Sequence, residues 1–152
     1  LIVLLVIGAI IAVVTPLMLN AQAKAKATQV VNNLKTIFTA FENRVYFDQT
    51  DTGIKYLKEV VREAGDEYEI YFFKLNEFDY NTLIYYGGSI TFNFINDLLP
   101  DVKKADGING LSLPADYERG EIITGDSTSV LDDNFFPATG VYYLQKFKLH
   151  VN

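Results

Sequence analysis

The first nineteen residues, "LIVLLVIGAIIAVVTPLML", limit what this chain can fold into more than any other segment, because they carry no charge and hold a proline well inside an apolar run. At ~1.5 Å per residue a helix of that length reaches about 28 Å, close to the hydrocarbon thickness of a bilayer. Lys24 and Lys26 are the first charges beyond it, on the flank where a membrane interface would place them. A secretory signal peptide would need a basic stretch ahead of the apolar one, and none precedes it here, although "AQA" at 21–23 has the small residues of a cleavage site. A helix apolar on every side is too large for a domain of this size to cover, so the segment belongs in lipid or among copies of itself.

The helical pattern does not stop at Leu19. In "AQAKAKATQVVNNLKTIFTAFENRV" the apolar residues Ala23, Ala27, Val30, Val31, Leu34, Ile37, Phe38 and Phe41 recur at i, i+3, i+4 and i+7, one stripe on an otherwise polar helix. A helix running to about Asn43 would be roughly 64 Å long, more than a small domain can enclose, so its first half must protrude. The chain therefore divides into an apolar helix at 1–22, an amphipathic continuation at 23–44 and a globular head at 45–152.

The resemblance carried by this stretch is to the bacterial type IV pilins and the related pseudopilins of type II secretion. It rests on Gly8 and, eight residues later, Pro16 within the apolar ladder, then the Ala- and Gln-rich "NAQAKAKATQ", then the amphipathic half. It covers roughly the first 45 residues. It implies an α+β fold in which a long protruding N-terminal helix packs its second half on an antiparallel sheet. It implies a structural role, polymerisation into an extracellular filament through Leu1, Val3, Leu4, Ile7, Gly8, Ile11, Val14, Thr15 and Pro16. Val30, Val31, Leu34, Ile37, Phe38 and Phe41 would join helix to head. The implied partners are further copies of the chain, the inner membrane before assembly, and an assembly machinery with a prepilin peptidase and an extension motor platform. A short secretion pseudopilus and a membrane-anchored binding domain that never polymerises are the alternatives. In the family a glutamate precedes this part of the ladder; in the register of Gly8 and Pro16 it would fall one or two residues before Leu1, where residues upstream are expected to supply it, a branch of the family lacking it being the alternative.

Proline inside a helix costs ~3 kcal/mol and glycine about 1 kcal/mol, so 8–16 is the softest part of the rod. The resemblance implies extended backbone between Ile7 and Pro16 in a filament. For a lone subunit in lipid, a tolerated kink is the competing expectation.

Beyond Arg44, "FDQTDTG" reads as a turn and "IKYLKEVVREAG" as a short helix over 54–64 capped by Gly65. "YEIYFFKL" at 68–75 and "TLIYYGGSITFNF" at 82–94 read as strands, the latter a hairpin turning at Gly87 and Gly88, although "FINDLLPDV" also fits a short helix. "GEIITG" at 120–125 and "VYYLQKFKLHV" at 141–151 are further strands, the last placing Tyr142 and Leu144 opposite Tyr143, Phe147 and Leu149. The Gly- and Asp-rich 100–120 reads as a surface loop. A sheet of four or more strands on the amphipathic helix would bury both apolar faces.

Charge is uneven. Residues 1–44 carry Lys24, Lys26, Lys35 and Arg44 against Glu42, and the remaining nine basic and eighteen acidic side chains lie in the head. An acidic head with no basic run argues against nucleic acid. The absence of cysteine excludes disulfides and thiolate chemistry. His150 is the only histidine, and the serines lack a nucleophile-elbow context, so no catalytic role and no cofactor are expected. Asp126, Asp132 and Asp133 in "GDSTSVLDD" are oxygen donors that suit Ca²⁺, without EF-hand spacing; solvated loop carboxylates are the simpler reading.

Overall fold

A computed structural model of the chain describes residues 1–48, 54, 57–62, 65–105, 119–125, 127–130 and 137–149. It is an α+β arrangement of one long helix and an antiparallel sheet. Helix α1 runs without interruption over Ile2–Asp48, through Pro16. It extends past Asn43 because Val45, fully buried, continues the apolar stripe by another turn, and because the Tyr46 hydroxyl donates to the Lys148 carbonyl at 2.6 Å. At ~1.5 Å per residue the rod is about 70 Å long.

After α1 come α2 (Leu57–Val60), β1 (Tyr68–Lys74), β2 (Asp79–Tyr86), α3 (Phe92–Leu98), β3 (Val102–Lys104), β4 (Arg119–Ile123), β5 (Thr128–Val130) and β6 (Val141–Lys148). The described strands form one six-stranded sheet in the order β3-β6-β2-β1-β4-β5, every neighbouring pair antiparallel. Alternate residues supply its two faces. Ile70 and Phe72 of β1, Tyr80 and Ile84 of β2, and Val141 and Phe147 of β6 pack with Ala27, Val30, Leu34, Ile37 and Phe41 of α1. Tyr71, Phe73, Leu83, Tyr85, Ile122 and Tyr142 form a second buried cluster on the other face. Central strand β2 is therefore buried on both sides.

Two expectations are corrected. The hairpin expected at Gly87 and Gly88 does not form: β2 ends at Tyr86, pairs with β1 and β6, and is followed by α3. Phe92, Ile95 and Leu99 stand at i, i+3 and i+7, and Ile95 and Leu99 are buried, so the helical period prevails over the Ile90, Phe92, Phe94 alternation. The glycines serve the preceding strand, where a Cβ on Gly88 would collide with the Tyr86 hydroxyl. A turn that does join two neighbouring strands, β1 and β2, lies at 75–78. There Asn76 Oδ1 accepts the backbone N–H groups of Phe78 and Asp79, each at 3.0 Å, and Asn76 Nδ2 donates to the Asp79 carboxylate at 2.7 Å. These bonds, with Lys148 Nζ at 3.3 Å, hold the Asp79 carboxyl below its ordinary range, the Asn76 bond contributing most.

Within 100–120, read as a loop, Val102–Lys104 is an edge strand on β6 with Val102 buried; residues 106–118 lie outside the described ones. The helix expected over 54–64 appears as Leu57–Val60, with 55, 56, 63 and 64 also outside. Leu57 N–H donates to the Thr124 carbonyl at 2.7 Å and Thr128 Oγ1 to the Ile54 carbonyl at 3.0 Å, which ties this segment to β4 and β5.

Thr82 is fully buried at the centre of the helix-facing side, between Phe72 and Gln145, and its hydroxyl has no hydrogen-bond partner among the described residues. An isosteric methyl would remove that desolvation cost. Thr82→Val is expected to raise stability by ~1 kcal/mol in urea melts, and a loss would show a hidden partner. Burial first, then Glu67, raises the Tyr86 phenol to about 12, and burial raises Tyr68, Tyr71, Tyr85 and Tyr143 as well. A phenol raised in the folded state stabilises it fully below the ordinary value near 10 and loses that contribution as pH climbs toward the folded value. The head is therefore expected to unfold cooperatively between about pH 10 and 12, with phenolate absorbance and loss of sheet circular dichroism rising together.

Candidate assembly surface

From Leu1 to Gln22 every residue of α1 is exposed. The large apolar ones stand in the open on all sides, from Ile2 at 80% to Ile7 at 47% within the helix. By length and composition this helix can cross a membrane, and none of its apolar window is covered by the rest of the chain. Such a surface far exceeds the apolar patch that a monomer in water normally shows. Leu1, Val3, Leu4, Ile7, Ile11 and Val14 all lie on it along one broad face, and the equally exposed Ile2, Leu5, Val6 and Val13 complete the circumference.

The polar and special residues of the span are dealt with inside the helix. Thr15 Oγ1 donates to the Ile11 carbonyl one turn back at 2.8 Å, so its hydroxyl needs no water. Pro16 brings no N–H, which leaves the Ala12 carbonyl without its usual donor, yet the helix continues through it. A Cβ on Gly8 would meet nothing within 4 Å. Glycine at this position has no steric cause within the chain itself, whereas close approach of another helix would supply one.

The character of α1 changes between Ala23, half-buried, and Ala27, fully buried. Val30, Val31, Leu34, Ile37 and Phe41 are buried in the core between α1 and the sheet, and Phe38 packs edge-on against Tyr143 and Phe147 at ring-centroid distances of 6.3 and 6.2 Å. Polar residues of the same stretch reach back to the head: Asn33 Nδ2 donates to the Tyr68 hydroxyl at 3.0 Å. Beside this junction α3 lies against α1, and Lys24, Thr28, Phe94, Asp97 and Leu98 line a groove of about 320 Å³ between them. Sequence reasoning missed this groove because it read Phe94 as part of a strand.

The Ca²⁺ candidates Asp126, Asp132 and Asp133 lie outside the described residues, as does His150. Among the described residues no three acidic or histidine side chains are grouped to hold a metal ion.

Fold and surface together define a class, an α+β head carried on a long helix whose free half is apolar and long enough to enter a membrane. No protein-family model, no curated protein and no solved structure matches the chain.

Because Gly8 is unhindered, Gly8→Ala is expected to leave the detergent-solubilised monomer intact and to favour its helix by about 1 kcal/mol. Circular dichroism should show equal or higher helicity with an unchanged melting transition of the head. Leu34→Ala, by contrast, opens a cavity where helix meets sheet and should cost about 3 kcal/mol in the same melt.

Proposed function

We propose that this chain is a structural subunit that polymerises into an extracellular filament of the type IV pilin kind, and that it has no catalytic role. The observation that carries this reading is the fully exposed apolar helix of residues 1–22, joined without a break to a folded acidic head. A surface of that size must leave water, and only two environments match its all-round apolar character: lipid, and a bundle of like helices. The subunit would hold both in turn, first anchored in the inner membrane and then, after extraction by an assembly motor and processing by a prepilin peptidase, packed against its neighbours.

The energetics of that exchange are balanced by design. At roughly 25 cal/mol per Å² of apolar surface kept from water, lipid and helix bundle both satisfy the segment, so a motor works against the difference between them and never against full hydration. Contact between one face of a helix and a different face of the next is heterologous and does not close, which generates a helical fibre. Thr15, with its hydroxyl bonded internally, and Gly8, with open space around it, suit both environments. The stretch from Gly8 to Pro16, continuous in the single chain, is where the backbone would yield most cheaply under the crowding of a fibre core.

Electron microscopy of cells producing the full chain tests the proposal: fibres with a helical apolar core are expected. A chain recovered solely as detergent-soluble monomers would instead indicate an anchored domain, and short assemblies confined to the periplasm a pseudopilus. Gly8→Leu should cut fibre yield at least about tenfold while the monomer still folds, since a branched side chain there blocks close approach between helices.

A further inference from the structure

The groove between α1 and α3 has an axial position fixed by the rod. Lys24 lies five residues beyond Leu19, the last large apolar residue of the opening run, and so ~7.5 Å further along the helix axis. The polar zone on each side of a bilayer core is about 5–7 Å deep. The wall facing Lys24 is the last turn of α3, where Leu98 is 48% exposed and Phe94 half-buried, while Ile95 and Leu99 already supply the contacts to the core. The Lys24 ammonium stands 5.7 Å from the centre of the Phe94 ring. An aromatic ring and an aliphatic side chain beside a lysine, in the polar layer just outside the hydrocarbon, is the composition of a membrane-interface anchor.

We propose that this groove is a seat on the bilayer: in the unassembled subunit the last turn of α3 rests in the headgroup layer, with Phe94 and Leu98 at glycerol level and Lys24 and Lys26 on lipid phosphates. Lys24 and Lys26 draw this end of the acidic head to the anionic surface and offset the repulsion from Asp97 on the same groove. The seat fixes how deeply the span enters and keeps the head abutting the membrane. This rests on the reading that residues 1–19 cross a membrane before assembly.

The chain has no tryptophan, so a single introduced one reports its site without background. Leu5→Trp, Leu98→Trp and Glu77→Trp, each in the full chain reconstituted into mixed phosphatidylcholine–phosphatidylglycerol vesicles, separate span, seat and far end. Glu77 lies in the turn before Asp79, which pairs with Lys148 near the end of α1 at Tyr46. The expected result is a blue-shifted L98W emission relative to E77W, quenched most by lipids brominated near the glycerol end of their chains, with L5W quenched most by bromines at the chain ends. L98W emission equal to that of E77W, with L5W still deeply quenched, overturns the seat and leaves the span standing. If L5W too is unquenched, the span reading falls and the seat with it. A blue shift of L98W that arises only in fibres and not in vesicles assigns the groove to a neighbouring copy and overturns the proposal.

Discussion

One helical stripe holds this molecule together. Ala27, Val30, Leu34, Ile37, Phe41 and Val45 lie along a single side of α1 and close the core against alternate residues of β1, β2 and β6. Neither partner could be stable alone, since an isolated amphipathic helix in water is marginal and a sheet with one bare apolar face would seek other chains. Everything that protrudes depends on this contact, because it is what turns the outer half of α1 from a loose tail into a rod of fixed direction. Tyr46, bonded to the Lys148 carbonyl, and Asn33, bonded to Tyr68, fix its rotation at separate points.

The same rod carries two contrary demands. Its inner half is built for one partner, with small Ala27 where the head begins and large Phe38 and Phe41 against the rings of Phe72, Tyr143 and Phe147. Its outer half is built for any apolar neighbour, with no preferred side. Proline at 16 is placed in the second region, where no tertiary contact of the chain depends on it, and its missing N–H costs nothing to the core. Thr15 offsets the local polarity by returning its hydroxyl to the backbone. Soft and rigid parts of one helix are thereby separated by nearly three turns, from Pro16 to the first buried residue at Ala27.

What was legible in the sequence followed the strength of the periodic signal. The long helix and its buried face stood out because the 3.6-residue repeat is sustained from Ala23 to Phe41. The strands at 68–74 and 141–148 were legible through aromatic and β-branched alternation, as was the division of β6 into two faces, though not which of them turns toward the helix. The turn at 75–78 was not, because it contains neither glycine nor proline and is made by an asparagine side chain bonding its own backbone. The Gly87–Gly88 pair misled for the opposite reason: it has the composition of a hairpin turn but serves to clear space for Tyr86. Edge strands β3 and β5, three residues each, rest on pairing with β6 and β4 and carry no pattern long enough to read. The α1–α3 groove, the part of the candidate surface that was missed, is created by two segments some seventy residues apart and no local pattern announces it.

The uninterrupted course of α1 has a mechanical meaning. Whatever pulls on the N-terminal half pulls along the axis of the same helix whose far end is bonded to β6. Tension is then applied parallel to the stripe, so its buried side chains are loaded together in shear and are not peeled apart one at a time from the neck. A head joined to its span by a flexible linker would pass force to whichever strand it entered and could be unzipped from that edge. Here the element that experiences the load is also the element that forms the core, and the head can be dragged as a unit.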